Sequence, residues 1–192
     1  MTGALVVVIT LGAGLISASF FEWAVHRYLL HRPRSFFRMW FESHTRIHHM
    51  VFKPDHSYHL QNEADKEIID MKRWALVVIG FGSLPYVFVM LVFNFEHEWT
   101  MLITGVLLST MYYCAYEYWH WCMHLPKNRR LERSWLFRRL NGHHLLHHRF
   151  MGKNFNVVLP LADWCMGTLI TRSAISFKQP RGPAVPDVQP LS

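Results

Sequence analysis

Three stretches of the chain carry no charged side chain: Met1 to Phe21, Trp74 to Phe95 and Trp99 to Tyr116. Each is close to the roughly 20 residues that a helix needs to cross the apolar core of a bilayer, so the pattern predicts three spanning helices. Only Glu96, His97 and Glu98 separate the second stretch from the third, which makes that pair an antiparallel hairpin. The first stretch runs on through Trp23 toward Pro33, where a helix must end or turn. It lacks the positive leader of a signal peptide and is expected to remain as a span.

Between the apolar stretches the periodicity changes. Ser35 to Met50 is predicted as an amphipathic helix, with Ser35 as cap and Phe36, Phe37, Trp40 and Phe41 giving an apolar side. Pro54 to Asn62 is expected to be a loop, and Glu63 to Arg73 a polar helix. Pro85 is tolerable inside a span when neighbouring helices satisfy the freed carbonyl. The third span should continue unbroken into the segment holding His120 and His124. Beyond it, Arg130 to Leu140 looks like a basic amphipathic helix, broken at Asn141 and Gly142 before a second short helix. The domain organisation is one unit, residues 1–178, followed by a proline-bearing loose tail, 179–192.

Composition sharpens this picture. Apolar residues make up 51% of the 192 and aromatics 15%, high for a soluble chain of this size. All 20 Lys and Arg fall in two blocks, Arg27 to Arg73 and Lys127 to Arg181. The positive-inside rule then puts both blocks in the cytoplasm and the amino terminus and the Glu96–Glu98 turn outside. A net charge of +7 is accounted for by anionic headgroups, and no nucleic-acid partner is expected. Cys114, Cys122 and Cys165 form no C-x-x-C pair, which agrees with a reduced compartment.

The chemistry lies in the histidines. Of 14, most fall in tight clusters: His26 and His31; His44, His48 and His49; His120 and His124; His143, His144, His147 and His148. Residues four apart on an α-helix share a face, from which two imidazoles can converge on one ion. His44 with His48, His120 with His124, and His144 with His148 have that spacing. His49 and His147 sit about 100° round from their neighbours and should serve an adjoining position. His26 and His31 are about 140° apart on an ideal helix, so their helix must loosen between them. Ten ligands are too many for one tetrahedral ion, and imidazole suits iron, zinc, copper or nickel. Two metal ions are therefore expected, held by His26, His31, His44, His48, His49, His120, His124, His144, His147 and His148. Carboxylates should orient the rings through their second nitrogen, with Glu22 and Glu117 as candidates and Glu42 equally well a solvated charge. His143 is placed outside the ligand set as a supporting residue; His56, His59 and His97 have no helical partner.

The ordered clusters, the segment YEYWHWCMH at Tyr116 to His124, and HHLLHH followed by Asn154-Phe155 and Asp163-Trp164…Gly167-Thr168 resemble the fatty acid hydroxylase and sterol desaturase superfamily. The resemblance covers His26 to about Thr168. It implies an all-α integral membrane bundle of about three spans under a cytoplasmic histidine-rich helical cap. It also implies two iron ions, replaceable by zinc on purification, with O2 as co-substrate and hydroxylation of an unactivated C–H bond on a lipid. Glu117 and Asp163 are carried over as catalytic candidates. Glu117 stands where the family more often has Asp, and Asp163 and Trp164 are in reversed order. The chain is shorter than sterol-oxidising members and carries no haem-binding segment, so an acyl chain is expected as substrate. Electrons are expected from a separate donor, a ferredoxin or cytochrome b5-like protein. The competing readings are a desaturase with the same centre, a membrane metal-binding or transport protein, and a haem-binding bundle.

Overall fold

A computed structural model describes residues 2–69, 74–93 and 96–171, and every regular element among them is helical. Helix α1, Gly3–Val25, begins at Thr2, whose hydroxyl accepts from the Leu5 amide at 3.4 Å, and passes directly into a π-helical turn, His26–Leu30. Together they form an apolar helix of 28 residues, Gly3–Leu30. Helix α4, Ala75–Val92, is the second helix long and apolar enough to cross a membrane. It keeps Pro85 inside it. On its surface Leu76, Phe88 and Leu91 are 86%, 63% and 79% exposed, a density of bare apolar side chains that suits lipid rather than water. Helix α5, Glu98–His124, is unbroken as expected. With its tyrosines it is less apolar than the other two, so two of the three expected spans are recovered on length and hydropathy.

Pair contacts fix how these helices run. Gly14 lies against Leu108 and Glu22 bonds Tyr112, so α1 and α5 are parallel and carry their histidines at the same end. Gly82 meets Ser109 and Tyr86 meets Gly105, so α4 runs antiparallel to α5, as a hairpin requires. Tyr86 is the wedge of the bundle, lodged where Gly14 of α1 and Gly105 of α5 have no side chain.

Short helices cover the histidine-bearing ends. Helix α2, Arg38–Phe41, a π-helical turn, Glu42–His48, and α3, His49–Val51, form one continuous rod. It starts after Phe37 rather than at Ser35, and Trp40 rather than Phe36 is its buried aromatic. A 3-10 turn, His56–Tyr58, interrupts the expected loop; another, Glu63–Ile68, stands where a polar helix was expected, and residues 70–73 of that helix lie outside the described residues. So does the tail, 179–192.

After α6, Arg130–Arg133, helix α7 runs without interruption from Trp135 to Arg149. The break therefore falls at Ser134, whose hydroxyl caps the Phe137 amide, and not at Asn141-Gly142. A mid-helix glycine costs about 1 kcal/mol relative to alanine. Burial of Phe137, Leu140, Leu146 and the histidines of the same helix outweighs that, and Asn141 is used to accept from Tyr58 at 2.9 Å. The core of the cap gathers Tyr58, Cys122, Met123, Phe137, Leu140 and Val157. A smaller cluster of Trp23, Phe155 and Ala162 joins α1 to the segment ending in α8, Leu161–Cys165.

Candidate metal centre

The ends of α1, α5 and α7 and the 38–51 rod converge, and the ten expected histidines close into two groups of five. One comprises His26, His31, His44, His49 and His147; the other comprises His48, His120, His124, His144 and His148. Within each group one nitrogen per ring lies within 4.8 Å of all the others. The groups adjoin, with His49 and His148 ring centroids 4.3 Å apart and His44 and His48 stacked at 5.1 Å.

The π turns explain the membership. The His31 amide donates to the His26 carbonyl at 3.1 Å, a bond spanning five residues, and the His49 amide makes the same kind of bond to His44. Residues five apart are thereby brought onto one face. His26 and His31 share a group through the loosening that their spacing required. His44, however, pairs with His49 and not with His48, which corrects the expectation from α-helical spacing. His120 with His124 and His144 with His148 do pair as expected, on regular α-helix, and His147 does join His49 in the adjoining group.

Ring orientation comes from backbone carbonyls. Nδ1 of His26 bonds Phe155 O at 2.5 Å, that of His147 bonds Lys153 O at 2.7 Å, and that of His124 bonds Tyr58 O at 2.8 Å. His48 uses Ile68 O at 3.2 Å and His148 uses Phe52 O at 2.5 Å. Thr45 gives its hydroxyl proton to Leu30 O at 2.6 Å and so accepts from His31 Nδ1 at 3.1 Å. A carbonyl can only accept, so these rings carry their proton on Nδ1 and turn a bare Nε2 lone pair inward.

Two of the carboxylates considered for orienting rings, Glu22 and Glu42, are engaged elsewhere. Glu22 accepts from Tyr112 Oη, Asn156 Nδ2 and the Val157 amide. Glu42 pairs with Arg38 on the surface at 2.9 Å. Glu117 is half-buried one turn before His120 and belongs to neither group. Asp163, expected as a catalytic carboxylate, is fully buried but also outside both groups; it bonds His143 Nε2 at 3.1 Å, which accounts for His143 standing apart. Burial raises the Asp163 carboxyl, yet bonds from His143, Thr168 and the Asn156 and Phe155 amides outweigh it and hold the group below the usual carboxylate range. His56 and His59 are exposed and His97 is half-buried, all outside the groups.

The inward lone pairs decide what the site can hold. His31 Nε2 and His147 Nε2 face each other at 3.0 Å, each with its proton committed to Nδ1. Two lone pairs at that distance repel unless a cation lies between them. A proton does not serve: burial and the adjoining His147 push His31 down to about 2, and burial brings His147 to about 4 despite the Lys153 carbonyl and Asp163. Burial, reinforced by neighbouring imidazoles, likewise holds His44, His48, His49, His144 and His148 well below the ordinary value. His48 Nε2 is buried with no hydrogen-bond partner among the described residues. Neutral, preoriented imidazoles are the form in which histidine binds metal. A family sequence model described as fatty acid hydroxylase matches residues 11–168, most of the chain. The chain belongs to the fatty acid hydroxylase family. No curated protein and no solved structure matches it. Family membership makes the chain a hydroxylase-like oxidoreductase whose histidine groups could bind metal, and the two apolar helices agree with a membrane protein.

What spacing could not reveal in this hydroxylase-family site is the set of carbonyls, because every residue has one. Thr45 and Asn156 were also unmarked. Asn154 carries a faint signal: its φ of 55° is left-handed, which Asn tolerates, and its side chain bonds His143 O and Ile170 O.

The depressed histidines fix the sign of a pH effect. Folded His147 stays neutral down to about 4, whereas the unfolded chain takes up that proton near 6.5. Metal-free protein should therefore be fully stable above that value and lose about 1.4 kcal/mol per pH unit from such a ring as pH falls through the window. Denaturant midpoints of chelator-treated protein in detergent at pH 7, 6 and 5 check this; constant midpoints would refute it.

Proposed function

We propose that this chain hydroxylates an unactivated C–H bond of an acyl-chain-like lipid with dioxygen, at two iron ions held by the two groups of five histidines. The observation that carries the reading is the His31 and His147 pair, whose converging lone pairs suit a shared cation. Nitrogens bound to one ion at about 2.1 Å and roughly at right angles are about 3 Å apart. The contacts of His26 with His44 at 2.9 Å and of His148 with His144 at 3.0 Å have this length too. Histidine without thiolate suits iron as well as zinc, and zinc would substitute on purification.

The ions, when bound, supply the reduction of dioxygen and the oxidation of the C–H bond. The overall change is R–H + O2 + 2 e⁻ + 2 H⁺ → R–OH + H2O. Its electrons need a separate donor, a ferredoxin or a cytochrome b5-like protein. The chain's own part is orientation and dryness: carbonyls fix the rings, and burial excludes water. A cavity of about 280 Å³ is lined by apolar Trp40, Ile47, Ile68 and Trp74, by Ser43 and Glu67, and by His44 of one group and His48 and His120 of the other. An alkyl chain resting on that apolar wall would present a C–H bond to both groups at once. The positive-inside pattern supports three spans with the histidines on the cytoplasmic side. A transporter would be expected to hold ligands near the middle of broken helices; here they stand at helix ends.

Product analysis tests the reading against desaturation. Lipids from cells expressing the chain under 18O2 should gain a single labelled oxygen. Loss of two hydrogens without oxygen would identify the desaturase instead, and metal uptake by vesicles without oxygen consumption the transporter.

A further inference from the structure

Two carboxyl groups that bond no ring of either histidine group, Asp163 and Glu22, accept from the successive amides of Phe155, Asn156 and Val157. Residues 153–157 supply the carbonyls for His26 and His147, both in the same group of five. The other group takes its carbonyls from Phe52, Tyr58 and Ile68, in a different part of the chain. We infer that Asp163 and Glu22 are positioning residues for the first group alone, acting through the peptide planes of residues 153–157. The inference rests on the two-ion reading above.

The peptide unit is the mechanical link. Phe155 C=O and Asn156 N–H belong to one rigid trans plane and point in opposite directions. The carbonyl end holds His26 Nδ1, and the amide end donates to Asp163 Oδ2 at 2.7 Å. Turning this plane to release Asp163 would also turn the acceptor away from His26. The Phe155 amide donates to Asp163 Oδ1 at 2.9 Å, fixing the preceding plane as well. His147 is tied in the same manner: its acceptor, Lys153 C=O, shares a plane with Asn154 N–H, which donates to Thr168 O at 3.1 Å. The Thr168 hydroxyl in turn donates to Asp163 Oδ1 at 2.6 Å.

Glu22 fastens this segment to α1, the helix that leads into His26. It accepts from the Val157 amide at 2.5 Å and from Asn156 Nδ2 at 3.1 Å, while Asn156 Oδ1 accepts from the Asp163 amide at 3.1 Å. Of the two carboxyl groups Asp163 is the one held ionised by its bonds, and hydrogen bonds to an ionised group are the strong ones. Among the described residues the acceptors of the second group bond neither Glu22 nor Asp163; their nearest counterpart, the Lys53 amide on Ser57 Oγ at 3.4 Å and Ser57 on the Asp55 carboxylate at 2.7 Å, is exposed. Assembly of the first group therefore waits on docking of the 153–168 segment against α1.

Metal content separates positioning from general support. Full-length Asp163→Asn and Glu22→Gln proteins, purified in detergent from iron-supplied cells, are analysed for iron and zinc per chain. The amide introduces a donor opposite donors in each case. Both variants are expected to fall from about two ions to about one, since only one of the two groups is disturbed. In a His44→Ala/His49→Ala background, which dismantles the first group, they should cost no further metal. In a His120→Ala/His144→Ala background they should remove the remaining ion. Tyr112→Phe, which removes the hydroxyl's bonds to Glu22 and to the Leu159 backbone but leaves every bond of Asp163 and Glu22 to residues 155–157, should keep both ions. Retention of two ions by both variants, equal loss from both groups, or failure of both variants to give folded protein overturns the inference. Wild-type protein holding fewer than two ions overturns the two-ion reading itself.

Discussion

Two double substitutions that share one histidine are expected to behave differently toward a chelator. His44→Ala/His49→Ala leaves three imidazoles in one group and all five in the other, so one ion should be lost while the second keeps its wild-type affinity. His44→Ala/His48→Ala leaves four in each, so both ions should weaken together. Loss of groups that merely orient ligands typically costs 10- to 100-fold in affinity, and loss of a ligand should cost at least about that much per ring. Competition with a chromophoric chelator reads the outcome directly: two separated phases for the first variant, one shifted phase for the second. Helical spacing of four would demand the reverse, because it assigns His44 and His48 to the same ion. On the proposed two-ion oxygenation, activity should fall by more than about 100-fold in both variants.

The difference turns on the bond from the His49 amide to His44 O, and it marks where the sequence stopped being informative. Spacing singled out the ten histidines that gather in the two groups, because clustering at the ends of apolar runs is visible without a fold. It also paired those on α5 and α7, where the helix is regular. It could not choose between α and π registers over 42–48, because the two differ by one residue per turn and tertiary contacts select between them. His26 and His31 were different: five residues followed by Arg32-Pro33 already required an irregular turn. Apolar runs marked α1 and α4 sharply and α5 less so, since its tyrosines reduce its hydropathy while serving the interior. Asn141-Gly142 misled as a break because local propensity is weak against a helix face that buries Leu140, His143, His144 and His147. The role of Glu22 was misjudged for a related reason. Proximity in sequence suggested that it oriented His26 directly, whereas it reaches a segment more than 130 residues away.

Packing among α1, α4 and α5 should be as sensitive as the histidine groups, and at one glycine above others. A Cβ at Gly105 would fall within the ring of Tyr86, on Cγ and its two neighbours, the part of the side chain least able to move aside. A Cβ at Gly14 would meet the Tyr86 hydroxyl and a Leu108 methyl, both at the far ends of side chains that can swing. At Gly12 and Gly80 it would meet nothing within 4 Å. Glycine to alanine inside a helix gains about 1 kcal/mol of propensity, whereas overpacking costs about 1–3 kcal/mol. The expected order is therefore Gly80→Ala and Gly12→Ala neutral or slightly stabilising, Gly14→Ala close to balance, and Gly105→Ala clearly destabilised. Gly105→Leu should yield no folded protein. Thermal unfolding in detergent, followed by size-exclusion chromatography, measures the series. Adding Tyr86→Ala to Gly105→Ala should recover part of the loss, because the two substitutions share one contact and cannot be additive. Equal midpoints for Gly14→Ala and Gly105→Ala would show that Tyr86 does not hold α4 against α5. The same tyrosine lines a small cavity of about 70 Å³ that also touches Glu22 and His26. A shift of the wedge should therefore lower metal occupancy in Gly105→Ala as well as its melting point, while Gly12→Ala changes neither.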